Sequence, residues 1–550
     1  MHNPILKVHP KDNVLVALRD LKAGDQVALD GLTFQVVEDI PAKHKFAQHD
    51  FEVGDAIIMY GVLVGKAITP IPVGSRISRQ NVSHDSEAYQ VGNRQLDWTA
   101  PDIADFSGRT FQGYHRKDGK VGTRNYWLVL PLVFCENRNV KVIQDAMLSQ
   151  LGYVSGQAFS VDINSLIRLY RDGAAPDAIL QTPVIREAED MAKQRLFPQV
   201  DGIKFLIHEG GCGGTRQDAE ALTRLLAGYV ANANVAGATV LSLGCQNAQY
   251  QLMEQALQEF APDLGKPVYM LEQQKSRSER DFIAEAVKHT FVGLMEANKC
   301  QRQPAPLSKL ILGLECGGSD GFSGISANPA LGYASDLLVA LCATTVLSEF
   351  PELNGVEQEL INRCVDDRTA HKFADIMKAY SSRAKAVGSG FDMNPSPGNI
   401  RDGLITDAMK SAGAAKKGGT SPVTDVLDYT EQISKPGLNL LCTPGNDVES
   451  TTAMVGSGST IIVFTTGLGT PTGNPIAPTI KMASNSVLAS RMADIIDVNA
   501  GTIISGEDTI ESKGRELLEY IIKVASGEAT PHAERLAQDD FIPWKRGVSL

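Results

Sequence analysis

Apolar and polar residues alternate in short bursts over the first 95 positions. The stretches ILKVHP, NVLVALRDL, DQVALD, LTFQVVEDI, DAIIMY and VLVGKAITPIPVGSRI are separated by turns rich in Gly or Asp. A period of two bounded by turn residues predicts half-buried strands, so residues 1–95 read as an all-β module. Residues 83–110 are polar with little periodicity and read as a linker. From Tyr126 onward, apolar runs of strand length alternate with helical stretches such as AEALTRLLAGYVANA and RDFIAEAVKHTFVGLMEA. That alternation predicts α/β domains with largely parallel sheets. A composition break at 297–309, ANKCQRQPAPLSK, precedes further strand-like runs: KLILGLE, LNLLC and TIIVFTT. The predicted architecture is α/β and multidomain: an all-β module over 1–95, an α/β second domain over 96–300, and a C-terminal α/β domain over 301–550. No internal repeat at a fixed period is visible.

A chain of 550 residues exceeds the size at which one core keeps growing, which agrees with several domains. The apolar fraction of 43% and charged fraction of 21% are those of an ordinary globular protein. Lys and Arg number 52 against 64 Asp and Glu, a net charge of −12, which weighs against nucleic-acid binding. A local basic pocket for a small anion stays compatible with that balance. MHNPILKVHP lacks the basic and long apolar regions of a signal peptide, and the longest apolar run, Trp127 to Phe134, is strand-sized. The expectation is a cytoplasmic protein with no membrane partner, and a homo-oligomer is left open.

The eight cysteines are too sparse for a disulfide scaffold, but five share one context. Cys135 follows YWLVLPLVF, Cys212 follows IKFLIHEGG and Cys245 follows ATVLSLG. Cys316 follows KLILGLE, and Cys442 ends LNLL before TPGND. Each falls at or just past the carboxyl end of a predicted strand, the edge at which open α/β sheets bind ligands. Cysteine also packs as a small hydrophobe, so any one of them alone carries little. With His208 in HEGGC and Asn446 and Asp447 beside Cys442, the set has the donor types of a transition-metal site. There is no CxxC and no compact zinc spacing, so ligands would have to come from different loops.

Other loops add candidates. TTGLGTPTGNPIAPTIK, 465–481, combines glycines, hydroxyls and Lys481 after an apolar run, and reads as an anion- and hydroxyl-binding loop or an irregular crossover. GAAKKGGT, 413–420, lacks the Lys-Ser/Thr ending of a phosphate loop and follows no strand. No GxGxxG follows a strand to open a helix, so no dinucleotide cofactor is expected. His44 lies between two lysines in KHKFA, while His115 heads a basic turn with Arg116, Lys117, Lys120 and Arg124. The stretch LECGGSDGFSG, 314–324, joins a thiol, carboxyls and hydroxyls to four glycines, a costly composition that needs a tight turn, an anion cradle or a close approach.

Together these stretches resemble the altronate/galactarate dehydratase family of sugar-acid dehydratases. The likeness runs along nearly the whole chain: KHKFA, DGKVGTRN, LPLVFCEN, HEGGC, LGCQN, LECGGSDGFSGISANPALG, TTVLSEFPE, NPSPGN, TPGNDVESTTA, FTTGLGTPTGNPIAPTIK and FIPWKRGVSL. HEGGCGG is richer in glycine than the family pattern, and the 157–198 segment is longer. The resemblance implies that the β module is of the SAF (β-clip) type. It implies dehydration of a C6 aldonate or aldarate to a 2-keto-3-deoxy acid, a step of hexuronate breakdown, with Fe(II) or Mn(II) as cofactor. For altronate the product would be 2-dehydro-3-deoxygluconate.

That chemistry needs a cation or donors for the enolate, a base for the C2 proton, and an acid for the C3 hydroxyl. On this reading the metal ligands come from Cys135, His208, Cys212, Cys245 and Cys316. Ser319, Asp320, Asn399 and Asn446 bind substrate hydroxyls, and Arg124 and Lys481 pair with its carboxylate. His44 leads the acid–base candidates, followed by Glu315 and Asp447. An iron–sulfur cluster on three of the strand-end cysteines and a non-catalytic sugar-acid-binding protein are the alternatives.

Overall fold

The computed structural model describes residues 3–92, 94, 96–153, 159–187 and 195–547. The first two residues, the last three, two residues of the predicted linker and parts of the long 157–198 segment lie outside the described residues.

The chain opens with an all-β module. One antiparallel sheet holds Ile5–Leu6, Val14–Ala17 and Lys45–Ala47; another holds Ala56–Met59, Val62–Ala67 and Val82–Ser83. A hairpin, Gln26–Leu29 with Leu32–Gln35, lies beside them. Its two-residue turn places Asp30 at φ 51° and Gly31 at φ 79°, the double positive φ that matches strand twist in a tight hairpin. Leu15, Phe34, Val36, Ile40 and Phe46 form a small separate core there.

The second domain carries a four-stranded parallel sheet in the spatial order Gly202–Phe205, Tyr126–Pro131, Val235–Ser242, Val268–Glu272. Every residue of Tyr126–Pro131 and Val235–Ser242 is buried, as expected when helices cover both faces of a parallel sheet. The C-terminal domain carries a seven-stranded sheet, parallel throughout. Its order is Val423–Leu427, Gly437–Leu441, Thr344–Leu347, Ile311–Cys316, Ile461–Thr466, Thr479–Ala483, Val498–Asn499. The fold is therefore an all-β module followed by α/β domains with parallel sheets.

Strand order positions the chemistry. In each α/β sheet the first strand lies inside, with later strands on both sides of it. Tyr126–Pro131 is flanked by Gly202–Phe205 and Val235–Ser242; Ile311–Cys316 is flanked by Thr344–Leu347 and Ile461–Thr466. Such reversals open a crevice at the carboxyl edge, because the loops on either side leave in opposite directions. The two domains are joined by buried amides. Asn234 Nδ2 donates to the carbonyls of Thr460 and Ile476, and Asn232 Nδ2 to those of Val455 and Ser459. Among the described residues no helix is long and apolar enough to cross a membrane.

Candidate active site

The carboxyl end of Ile311–Cys316 delivers Glu315 and Cys316 to opposite faces of the sheet, both buried. On one face Glu315 Oε2 accepts from Ser450 Oγ at 2.7 Å and Ser348 Oγ at 3.3 Å, while its Oε1 has no partner. On the other, Cys316 Sγ lies 2.8 Å from Lys417 Nζ, and 3.7 and 3.6 Å from carboxylate oxygens of Glu349 and Glu352. Lys417 also donates to Glu349 at 2.5 Å, and Lys410 to Glu352 at 2.5 Å. Glu349 sits at φ 64°, a left-handed conformation that costs energy for any residue with a Cβ and is characteristic of functional sites.

The electrostatics follow from burying many acids around few cations. Burial, and then the charge of Glu349, pushes the Glu315 carboxyl well above the usual carboxylate range. Burial and Glu349 likewise keep the Cys316 thiol protonated far above the usual range. Burial opposes a charge on Lys417, but Cys316 and Glu349 outweigh it and keep the ammonium charged. Asp447, in the first turn of the helix Asp447–Gly456, is pushed up to about 7 by burial and by Glu349 and Glu352. Lys481 comes the other way: burial brings it down to about 7 against the pull of Asp447. Its Nζ lies 3.6 Å from the centre of the Phe464 ring and 3.2 Å from Thr472 Oγ1.

The glycines of 314–324 have a steric cause. A Cβ on Gly317 would lie 2.0 Å from Asp447 Oδ2, and one on Gly321 would lie 2.5 Å from the carbonyl oxygen of Lys43. The loop is bare because the acidic helix approaches it at one point and the β module at another. Asp320 anchors the second approach. Its fully buried carboxylate accepts from the backbone N–H groups of Phe322 and Ser323, from Ser323, Ser484 and Asn485, and pairs with Lys43 at 3.1 Å. The ammonium of the neighbouring Lys45, fully buried, donates to the carbonyls of Gly403 and Lys43, and burial brings it down to about 7. His44, between them, has Nε2 3.1 Å from the Arg401 carbonyl, so Nε2 carries the hydrogen and buried Nδ1 is left without a partner. Burial lowers its pKa.

Several expected roles meet a different geometry. Arg124 cannot reach a substrate carboxylate: its guanidinium is buried, forked onto Glu534 and bonded to the carbonyls of Thr123 and Val524, before the strand Tyr126–Pro131 begins. Asp320 and Asn399 are spent on protein. Asn399 donates to the Ser319 carbonyl and accepts from Ser396 in a helix-capping box, which also fixes Ser319 through its backbone. Asn446 is the exposed N-cap of the Asp447–Gly456 helix. Lys481, near a pKa of 7, is a weaker carboxylate anchor than expected and a better base.

The expected metal ligands divide between two sheets. Cys316 ends a strand of the seven-stranded sheet, whereas Cys135, Cys212 and Cys245 leave three adjacent strands of the four-stranded sheet and are exposed. The Cys135 thiol is raised by burial and by the thiols of Cys212 and Cys245. His208 turns inward, with Nε2 2.9 Å from the Pro131 carbonyl and Nδ1 accepting from the Gly210 N–H at 3.1 Å, so both ring nitrogens are engaged. Cys442 is buried, its thiol pushed up to about 12 by burial and Asp428. Glu349, Glu352, Lys410 and Lys417 were not singled out from sequence. The strand-end argument applied to the cysteines finds Glu349 in TTVLSEFPE; Lys417 lies in GAAKKGGT, which is no phosphate loop but buries its lysine in the site.

Comparison with known proteins places this geometry in a lineage. Three family models match in succession: an altronate/galactarate dehydratase SAF domain over 3–85, a D-galactarate dehydratase/altronate hydrolase second domain over 113–298, and a D-galactarate/altronate dehydratase C-terminal domain over 307–549. The chain is 34% identical to an altronate dehydratase of Bacillus subtilis (strain 168) over 546 residues, 99% of each chain. It is 34% identical to an altronate dehydratase of Escherichia coli (strain K12) over 550 residues, again 99% of each. To a galactarate dehydratase (L-threo-forming) of the same strain it is 33% identical over 529 residues, 95% of this chain and 93% of the relative. The chain belongs to the altronate/galactarate dehydratase family of sugar-acid dehydratases.

Proposed function

We propose that this protein is a hydro-lyase that removes water from a sugar acid, with D-altronate the foremost substrate and 2-dehydro-3-deoxy-D-gluconate the product. The observation that carries the reading is the pairing of Asp447 and Lys481, brought to about 7 from opposite directions within one crevice. A base and an acid poised near neutrality are what loss of water next to a carboxylate requires. Neutral Lys481 takes the C2 proton of the substrate. Protonated Asp447 gives its proton to the departing C3 hydroxyl, which leaves as water. The resulting enol tautomerises to the 2-keto-3-deoxy acid. The charged ammoniums of Lys410 and Lys417, paired with Glu352 and Glu349, offset part of the acidic charge that an anionic substrate would meet there. His44, whose Nε2 is held by the Arg401 carbonyl and whose Nδ1 is buried, takes no part in these proton transfers.

Fe(II) or Mn(II) fits the donor set of Cys316, Glu349 and Glu352, whose ligand atoms lie within 4.8 Å of one another. These groups already gather round a cation, the Lys417 ammonium, and Glu349 Oε1 is buried without a partner. Held there, the ion would act as a Lewis acid toward substrate oxygens.

The test is an anaerobic assay with Fe(II) or Mn(II) over a panel of aldonates and aldarates, following 2-keto-3-deoxy acid. Altronate is expected to turn over fastest. Galactarate ahead of altronate would shift the substrate, and binding without product from any member would overturn the dehydratase reading.

A further inference from the structure

The second domain has its own strand-order reversal, and three cysteines surround it. Cys135 leaves the central strand Tyr126–Pro131, Cys212 follows the neighbour Gly202–Phe205, and Cys245 follows the neighbour on the other side, Val235–Ser242. The three loops are tied to one another. The Phe134 N–H donates to the Gly210 carbonyl at 3.1 Å, the Ala248 N–H to the Gly211 carbonyl at 3.1 Å, and Asn247 Nδ2 to the Cys212 carbonyl at 2.7 Å. A Cβ on Gly211 would lie 2.1 Å from the Leu132 carbonyl oxygen, so the Cys212 loop presses directly on the Cys135 loop. Each cysteine also precedes a helix: Asn137–Leu151, Arg216–Ala231 and Tyr250–Phe260. Three helix N-termini therefore face this edge, and they favour thiolates and the anionic centres thiolates hold.

All three residues are exposed, which is unusual for cysteines kept only for packing. Around one zinc ion, with Zn–S near 2.3 Å, three sulfurs would come within roughly 4 Å of one another. Among the described residues the three sulfurs do not all lie within 4.8 Å of one another. A cluster whose ligands bind different irons takes a wider triangle of sulfurs.

We propose that Cys135, Cys212 and Cys245 hold a cubane iron–sulfur cluster at the exposed carboxyl edge of the second domain, with its fourth iron open to an oxygen ligand from solution. This site is separate from the Cys316 crevice, and the inference does not depend on the substrate assigned there.

The experiment is reconstitution of the full chain under argon with ferric chloride, sodium sulfide and dithiothreitol, whose oxidation to the disulfide supplies the two electrons each cubane needs, followed by iron, sulfide and zinc analysis, visible absorption and EPR of the dithionite-reduced protein. The expected result is about four irons and four sulfides per chain with a broad visible band. Cys135→Ser, Cys212→Ser and Cys245→Ser should each lower iron and sulfide content at least several-fold. The thiols are exposed, so circular dichroism should show the fold retained. Cys342→Ser, at an exposed cysteine elsewhere, should bind as the parent does. Bound zinc, one iron without sulfide, or unchanged iron in the three variants would overturn the proposal, whatever the sugar-acid assay gives.

Discussion

Nζ of Lys43, on the β module, lies 3.1 Å from Oδ2 of Asp320, a carboxylate fully buried in the C-terminal domain. The same ammonium reaches Asp402 at 3.0 Å, and Lys45 beside it is capped by the Gly403 carbonyl. Asp320 therefore sets where the module, and His44 with it, sits over the sheet edge. Asp320→Asn should cost about 3 kcal/mol, the low end of the range for breaking a buried pair, because Lys43 keeps some contact with water. Thermal unfolding together with limited proteolysis around residues 85–110 measures this. An unchanged melting temperature and cleavage pattern would contradict the anchoring role.

Gly317 makes a sharper test of the crevice. Its missing Cβ leaves room for Asp447 Oδ2, which an added methyl would meet at 2.0 Å, and for the Phe464 ring at 2.5 Å. Gly317→Ala should displace the acid and lower kcat on the order of 10²-fold, the usual cost of shifting a catalytic group by about 1 Å. KM and melting temperature should change far less. A variant as active as the parent would show that Asp447 is not the acid.

The pH profile follows from the same pair. Lys481 works unprotonated, so activity should rise as pH passes its value of about 7. Asp447 works protonated, so activity should fall as pH passes its value, also about 7. The two limbs give a narrow bell near neutrality in kcat/KM. Lys481→Met and Asp447→Asn should each lower kcat/KM by about 10²–10⁴-fold, with the acid limb lost in the first and the alkaline limb in the second. A flat profile in the parent would remove both residues from the proton transfers.

Arg124, displaced from any substrate role, has a stability role with a defined pH window. Arg124 overcomes burial and holds the Glu534 carboxyl at about 2, below the ordinary 4.5. A carboxyl depressed in the fold stabilises fully above its unfolded pKa, and the stabilisation is lost as pH falls through the folded one. The contribution should thus be intact above about 5 and should fade from there to about 2, which Glu534→Gln should abolish. Denaturant midpoints of parent and variant at pH 7 and pH 3 measure it: the gap between them should narrow at the lower pH.

The carboxyl-edge thiols, the glycine loop 314–324 and the alternation of strands and helices were legible because they are local. Strand-length apolar runs ending in Cys, Glu or Asp mark where loops leave a parallel sheet, whatever the sheet's order. The family resemblance was legible for the same reason, as motifs in a fixed sequence order.

Sheet membership was not legible. The cysteines at 135, 212, 245 and 316 share one local context, and only strand order separates three around one reversal from the fourth at another. Nor could sequence show that Arg124 and Asn399 are already bonded to protein, since saturation of a donor depends on partners such as Glu534 and Ser319, far along the chain. By itself the sequence determined the all-β module, the α/β layers, the family and the residue types able to move protons. Tertiary structure decided which of them meet and at what charge. Burial raises Asp447 and lowers Lys481 toward one value, and burial exists only once distant strands have closed over them.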